Sequence, residues 1–201
     1  MEKANRGYTV IELLVVIALI GMLAAIAWPR INIFMGVTRV RMAAGEVAGA
    51  LAEARLSAIK HSSRVALRFD TASDGDVTMT IYRDGDGDGV LKRDIDRGVD
   101  KTLKEQRRLA NFDDRIHFGF LYGEAPTEIG RPGRRIKRLS DPIRFNRSDM
   151  ASFSSLGTAT PGTIYLTDGF NSLVAVRVNH QSGLISVWTY NKETERWRGG
   201  G

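Results

Sequence analysis

The longest apolar run lies near the start of the chain. From Tyr8 to Trp28 the only charged residue is Glu12, and Leu, Ile, Val and Ala fill most positions. At about 1.5 Å rise per residue, a helix of that length spans about 30 Å, the thickness of a bilayer's hydrocarbon core. The helical period continues beyond Pro29. Val40, Ala44, Val47, Leu51, Ala54 and Ala58 recur at three- and four-residue spacing. Arg39, Arg41, Glu46, Glu53 and Arg55 fall mostly off that stripe. Small residues (Ala43, Ala44, Gly45, Ala48, Gly49, Ala50) allow a close neighbour. The pattern predicts one long helix from about Tyr8 to Lys60. Pro29 is expected to loosen it, because proline removes one backbone hydrogen bond and crowds the preceding turn. The first half reads as membrane-embedded and the second as packing on a soluble domain.

From Arg64 the period changes to two. Val65, Leu67 and Phe69 alternate with polar or small residues, as do Val77, Met79 and Ile81, then Ile116, Phe118 and Phe120. Ile164–Thr167, Leu173–Val178 and Leu184–Tyr190 follow, the last two joined by the turn-like Asn179–Gly183. A helix followed by runs of strands predicts an α+β domain, the long N-terminal helix packed on antiparallel β-sheets. The organisation expected is a short polar leader (1–7), the apolar half of the helix (8–29), its second half (30–62) and a β-rich domain (63–201).

Composition narrows the class. The chain has 201 residues, a net charge of +6 and no cysteine. That suits one modest domain plus an anchor and excludes a disulfide framework in any compartment. Lys3 and Arg6 precede the span and favour a cytoplasmic N-terminus, with the bulk of the chain beyond the inner membrane. They also suit a secretory signal peptide with Ala25-Ile26-Ala27 as its cleavage site. Glu12 inside the apolar region and Pro29 just past that site argue against it. An acid at the centre of a membrane helix costs about 2.5 to 3.5 kcal/mol, less near an end, and persists when it finds a partner. No basic residue lies within the span, so that partner is expected from another chain or from a newly made amino terminus.

Gly7-Tyr8-Thr9-Val10-Ile11-Glu12 followed by an apolar helix resembles the type IV prepilin processing motif. The resemblance implies that a prepilin peptidase cuts after Gly7 and methylates the new amine of Tyr8, a position more often Phe. It implies that Glu12 meets the terminal amine of a neighbouring subunit during assembly. Gly21 and Pro29 sit where type IV pilins often loosen the helix. In the C-terminal half, "IRFNRSDMASFSSLGTATPGTIYLTDG" and "VAVRVNHQSGLISVWTY" resemble the GspH/FimT family of minor pilins and pseudopilins, with their G-T-I-x-L strand and final hairpin. The resemblance implies a type IV pilin-like fold and a structural role without catalysis. The expected function is that of a minor pseudopilin of a type II secretion system, near the tip of the periplasmic pseudopilus. Expected partners are other major and minor pseudopilins or pilins, the prepilin peptidase and inner-membrane lipid. The alternative is a FimT-like minor pilin of a type IV pilus that binds DNA during uptake.

Two further stretches carry candidate chemistry. In "YRDGDGDGVLKRDIDRGVD" the spacing of Asp84, Asp86 and Asp88, with Gly89 at the bend, is that of an EF-hand calcium loop. The bidentate acid an EF-hand needs falls on Ile95, between Asp94 and Asp96, and the loop follows a strand. An EF-hand is therefore not expected. Partial calcium ligation by Asp84, Asp86 and Asp88 with Asp94 or Asp96 stands beside a plain Asp-Gly turn; no cofactor is required. The second stretch is basic: Arg131, Arg134, Arg135, Lys137 and Arg138, then Arg196-Trp197-Arg198. It could contact nucleic-acid phosphates, with Trp197 stacking on a base, or form a solvated face. His61, His117 and His180 are scattered, and no nucleophile, zinc or P-loop spacing accompanies them. A membrane-anchored enzyme or binding protein that borrows the leader is the remaining class.

Overall fold

Helix α1 runs from Val10 to Lys60 in a single span of 51 residues. The structure, a computed structural model, describes residues 9–72, 76–109, 115–146 and 148–200. Gly7 and Tyr8 lie outside the described residues. The chain divides into two compact units, Met1–Gly36 and Val37–Gly201. In the first, Val10–Trp28 is long and apolar enough to cross a membrane, and none of it is buried. Val10 is 75% exposed and Trp28 70%. At Pro29, where loosening is expected, the helix continues without a break. A single missing hydrogen bond is a local defect, and the turns on either side keep their own bonds.

In the second unit all six residues of the predicted stripe are buried, joined by Ala43 and Ala50. They meet two antiparallel sheets. Strands β1 (Val65–Thr71), β2 (Val77–Arg83), β3 (Lys101–Arg108) and β8 (Met150–Phe153) form one, in the order β3-β2-β1-β8. The short helix α2 (Lys92–Asp96) lies between β2 and β3 in sequence. The other sheet has the order β12-β11-β10-β9-β4, made from β4 (His117–Phe118), β9 (Gly162–Thr167), β10 (Leu173–Val178), β11 (Ile185–Asn191) and β12 (Arg196–Gly200). Strand β7 (Ile143–Arg144) also pairs with β9, and β5 (Thr127–Glu128) pairs with β6 (Arg131–Arg135) as a separate hairpin. Of the predicted Ile116–Phe120 strand only the two residues of β4 pair.

Alternation along β9 and β10 sorts side chains between two cores. Ile164, Leu166, Val174, Val176 and Val178 face the core shared with α1 and the first sheet. Tyr165, Leu173 and Ala175 face a second core with Phe120, Leu121, Ile136 and Tyr190. Gly162 opens β9 because a Cβ there would lie 2.1 Å from the Phe145 ring. Phe145 is fully buried and stacks on Phe69 at 6.0 Å.

Strand β3 was not predicted. Leu103 is its only apolar residue. It forms as an edge strand whose charges point outward, a common way to blunt an edge. Lys104 and Arg107 reach Glu53 of α1 at 3.0 and 2.9 Å. The Lys104 hydrogen bond, with burial opposing it and Arg107 adding its charge, holds the Glu53 carboxyl below its usual range.

Candidate functional site

At the head of α1 the chain folds back on itself. The Thr9 amide and hydroxyl both donate to Glu12 Oε2, at 3.0 and 3.1 Å, and the Glu12 amide donates to Thr9 Oγ1 at 3.3 Å. This is a capping box: Thr at the cap accepts from the third helical residue, whose carboxylate reaches back to the cap amide. Glu12 therefore has a local partner, at an exposed helix start. The sequence points to a partner from another chain or a new amino terminus, yet Thr9 is also legible there, as T-x-x-E ahead of an apolar run.

The Asp-Gly loop joins β2 to α2. Asp84 is only 7% exposed. Its Oδ1 accepts from the amides of Asp86 (3.2 Å) and Gly87 (2.7 Å), and its Oδ2 from Gly89 (3.0 Å). Asp86 Oδ1 accepts from the Asp88 amide at 3.3 Å. Asp100 was missed from the sequence. It is buried, and its two oxygens accept from Gly85 (3.0 Å) and Leu91 (2.9 Å), pinning both ends of the loop. Nothing local marks it, because it lies beyond α2.

Carboxylate oxygens of Asp84, Asp86 and Asp88 fall within 4.8 Å of one another, a span one hard cation can bridge. Asp94 and Asp96 are not part of that group among the described residues. Asp94 is buried and bound by Arg93 Nε at 3.0 Å, and Asp96 is exposed on α2. Arg93 also reaches Asp88 at 2.6 Å. Desolvation, then the hydrogen bond and charge of Asp86 and the charge of Asp94, push the Asp88 carboxyl above its usual range against the pull of Arg93. Ile95, at the EF-hand's bidentate position, packs with Ala66, Val90 and Met150.

The two basic stretches come together. The β5–β6 hairpin is tied to the turn before β12: Arg135 pairs with Glu195 at 2.6 Å and the Trp197 indole donates to the Thr127 carbonyl at 2.6 Å. Arg134 and Arg131 both reach Glu128, at 3.1 and 3.7 Å. Three of the candidate arginines thus already have carboxylate partners. Lys137, Arg138, Arg196 and Arg198 are exposed, with no ion pair among the described residues. Trp197 is half-buried: its ring lies against Tyr165 and Tyr190 at 5.9 and 5.1 Å and its indole N–H is taken by Thr127. His61, His117 and His180 sit on three separate elements.

Residues 3–28 match the family described as the prokaryotic N-terminal methylation motif. Two curated relatives, both fimbrial proteins of Pseudomonas aeruginosa, are 41% identical to this chain over 93 residues, 45% of this chain and 60% of each relative. The chain thus matches well under two thirds of the relatives' length. Two solved structures of the minor pseudopilin EpsH from the type 2 secretion system of Vibrio cholerae overlap with 80% and 81% of this chain and 94% of theirs. Their identities are 12% and 13%, with TM-scores of 0.37 and 0.36, and overlap at that level carries no argument. The segment that holds Gly7, Tyr8, Thr9 and Glu12 thus lies within the match to the prokaryotic N-terminal methylation motif.

Proposed function

We propose that this protein is a membrane-anchored structural subunit of a pilin-like filament, processed after Gly7 and methylated on Tyr8. Val10–Trp28 holds it in the inner membrane, and the β-rich domain lies in the periplasm. The observation that carries this reading is the methylation motif joined directly to an exposed, membrane-length apolar helix. Within it, the resemblance of the C-terminal half to GspH/FimT proteins favours a minor pseudopilin of a type II secretion system, near the filament tip. A FimT-like minor pilin that binds DNA is the second reading, favoured by the exposed cations Lys137, Arg138, Arg196 and Arg198, which have no ion pair among the described residues.

Glu12→Gln tests the anchor's role. Glutamine also serves at the third position of a capping box, so the substitution keeps the cap and removes the charge. The variant is expected to insert and to be processed like the parent, yet to co-purify poorly with partner subunits. Burial in a filament makes the carboxylate costly without an amine to meet it, so the charge selects correct register. Co-purification equal to the parent's removes the assembly role and leaves Glu12 as a cap.

The Asp84–Asp88 loop is a candidate calcium-holding turn in the same reading. Asp86 is the informative residue, since Asp84 and Asp100 hold the loop's backbone and their loss disturbs it in any case. Millimolar calcium is expected to raise the melting temperature of the full chain in detergent, because a ligand of the folded state stabilises it by mass action. Asp86→Ala is expected to remove that rise. A parent with no calcium response leaves a turn held by its own hydrogen bonds.

A further inference from the structure

Between the β5–β6 hairpin and the start of β9 lies an open cavity of about 510 Å³. Tyr165 lines it, with Thr163 beside it, Arg144 and Arg177 along the sheet, and Glu128 and Arg131 from the hairpin. Its volume is in the range of small-molecule sites. Tyr165 is only 5% exposed, yet its hydroxyl has no hydrogen-bond partner among the described residues. The hydroxyl is the part of the residue that opens onto the cavity, where it is placed to donate to a ligand.

The charged groups around that hydroxyl with capacity to spare are donors. Arg177 is exposed and has no carboxylate partner among the described residues. Arg144 lies over the rings of Phe120 and Tyr165, at 5.6 and 5.7 Å. It donates through Nε to the Asp141 carbonyl at 2.8 Å and through Nη2 to the Arg138 carbonyl, which leaves Nη1. Burial holds the Tyr165 phenol above its usual range, opposed by the charges of Arg144 and Arg177, so it remains a donor at neutral pH. The one carboxylate, Glu128, is committed through both oxygens to Arg134 and Arg131. A site with spare cationic donors and its carboxylate already paired suits an anionic ligand.

We propose that this cavity binds a small anionic ligand through a carboxylate or phosphate group, with Tyr165 and Arg177 as its main donors. The site belongs to the β-rich unit alone. Processing and filament assembly play no part in it, so failure here leaves the filament reading standing, and the reverse.

The test is calorimetric titration of the full chain in detergent with citrate and with inorganic phosphate, at constant ionic strength made up with chloride. Constant ionic strength separates a site from general screening of a basic protein. Saturable binding of at least one anion is expected. Tyr165→Phe, which keeps the ring, and Arg177→Gln are each expected to weaken it about tenfold, the worth of one hydrogen bond to a charged acceptor. Lys101→Gln, on the other sheet, is expected to leave it unchanged. Arg177 is exposed, so its variant keeps the test open should Tyr165→Phe disturb the core. Tighter citrate assigns a carboxylate ligand and tighter phosphate a phosphorylated one. No saturable heat from either anion at millimolar concentration overturns the proposal. Binding by both cavity variants equal to the parent's overturns it as well.

Discussion

A chain carrying Gly7→Val is expected to accumulate in the membrane at its full, uncut mass. In the parent, intact-mass analysis is expected to show loss of the polar segment through Gly7 and gain of one methyl group on Tyr8. The methylation motif spans both positions. Glycine presents no side chain beside the bond to be cut, whereas valine adds a stiff β-branched group there. The substitution precedes the apolar span in sequence, so insertion of Val10–Trp28 is expected to be unchanged, and the effect should be close to all-or-none. A parent whose mature chain instead begins at Trp28 would establish the secretory-signal reading. Cleavage of Gly7→Val at the parent's rate would remove the glycine from the processing step.

Leu51→Ala is expected to produce a large loss of stability in the β-rich unit. Leu51 is fully buried, one helical turn from both Val47 and Ala54, in the core that α1 shares with both sheets. Its truncation removes apolar burial and leaves a void in a core built largely from alanines on the helix side, which cannot collapse to fill it. Such changes cost about 2–5 kcal/mol. For a domain of this size that is a drop of roughly 5–15 °C in melting temperature. In a Trp28→Phe background, which removes the tryptophan of the apolar half of the helix, Trp188 and Trp197 fluorescence reports it from the sheet. Leu56→Ala, on the exposed side of the same helix, is expected to change stability by no more than about 0.5 kcal/mol. Equal melting of the two variants would mean that the Val40–Ala58 stripe is not the core-facing side.

The regular part of the fold was legible because it is written locally. The stripe from Val40 to Ala58 and the alternation in β1, β2, β9, β10 and β11 each reveal which side faces the core within a few residues. The T-x-x-E cap is equally local, although the expectation was a partner from another chain or from a new amino terminus. Strands β3, β6 and β12 were not legible. KTLKEQRR and RPGRR carry no apolar alternation and pair only because β2 and β5 offer open edges at the right place. The candidate sites divide in the same way. The trio Asp84, Asp86 and Asp88 is visible as a spacing, while Asp100 closes the loop from beyond α2.

By itself the sequence determined the membrane-length helix, its processing motif, the helix-then-strands order and the residues of the main core. These depend on period and on motifs a few residues long, where neighbours in sequence are neighbours in space. Only the tertiary structure decided what the remaining polar residues do. It spends Arg131, Arg134 and Arg135 on Glu128 and Glu195, turns Trp197 inward, and leaves the Tyr165 hydroxyl facing a cavity with Arg177 unpaired. Those outcomes depend on which segments far apart in the chain meet across the second sheet, and charge or ring chemistry read along one strand does not specify its partner on another.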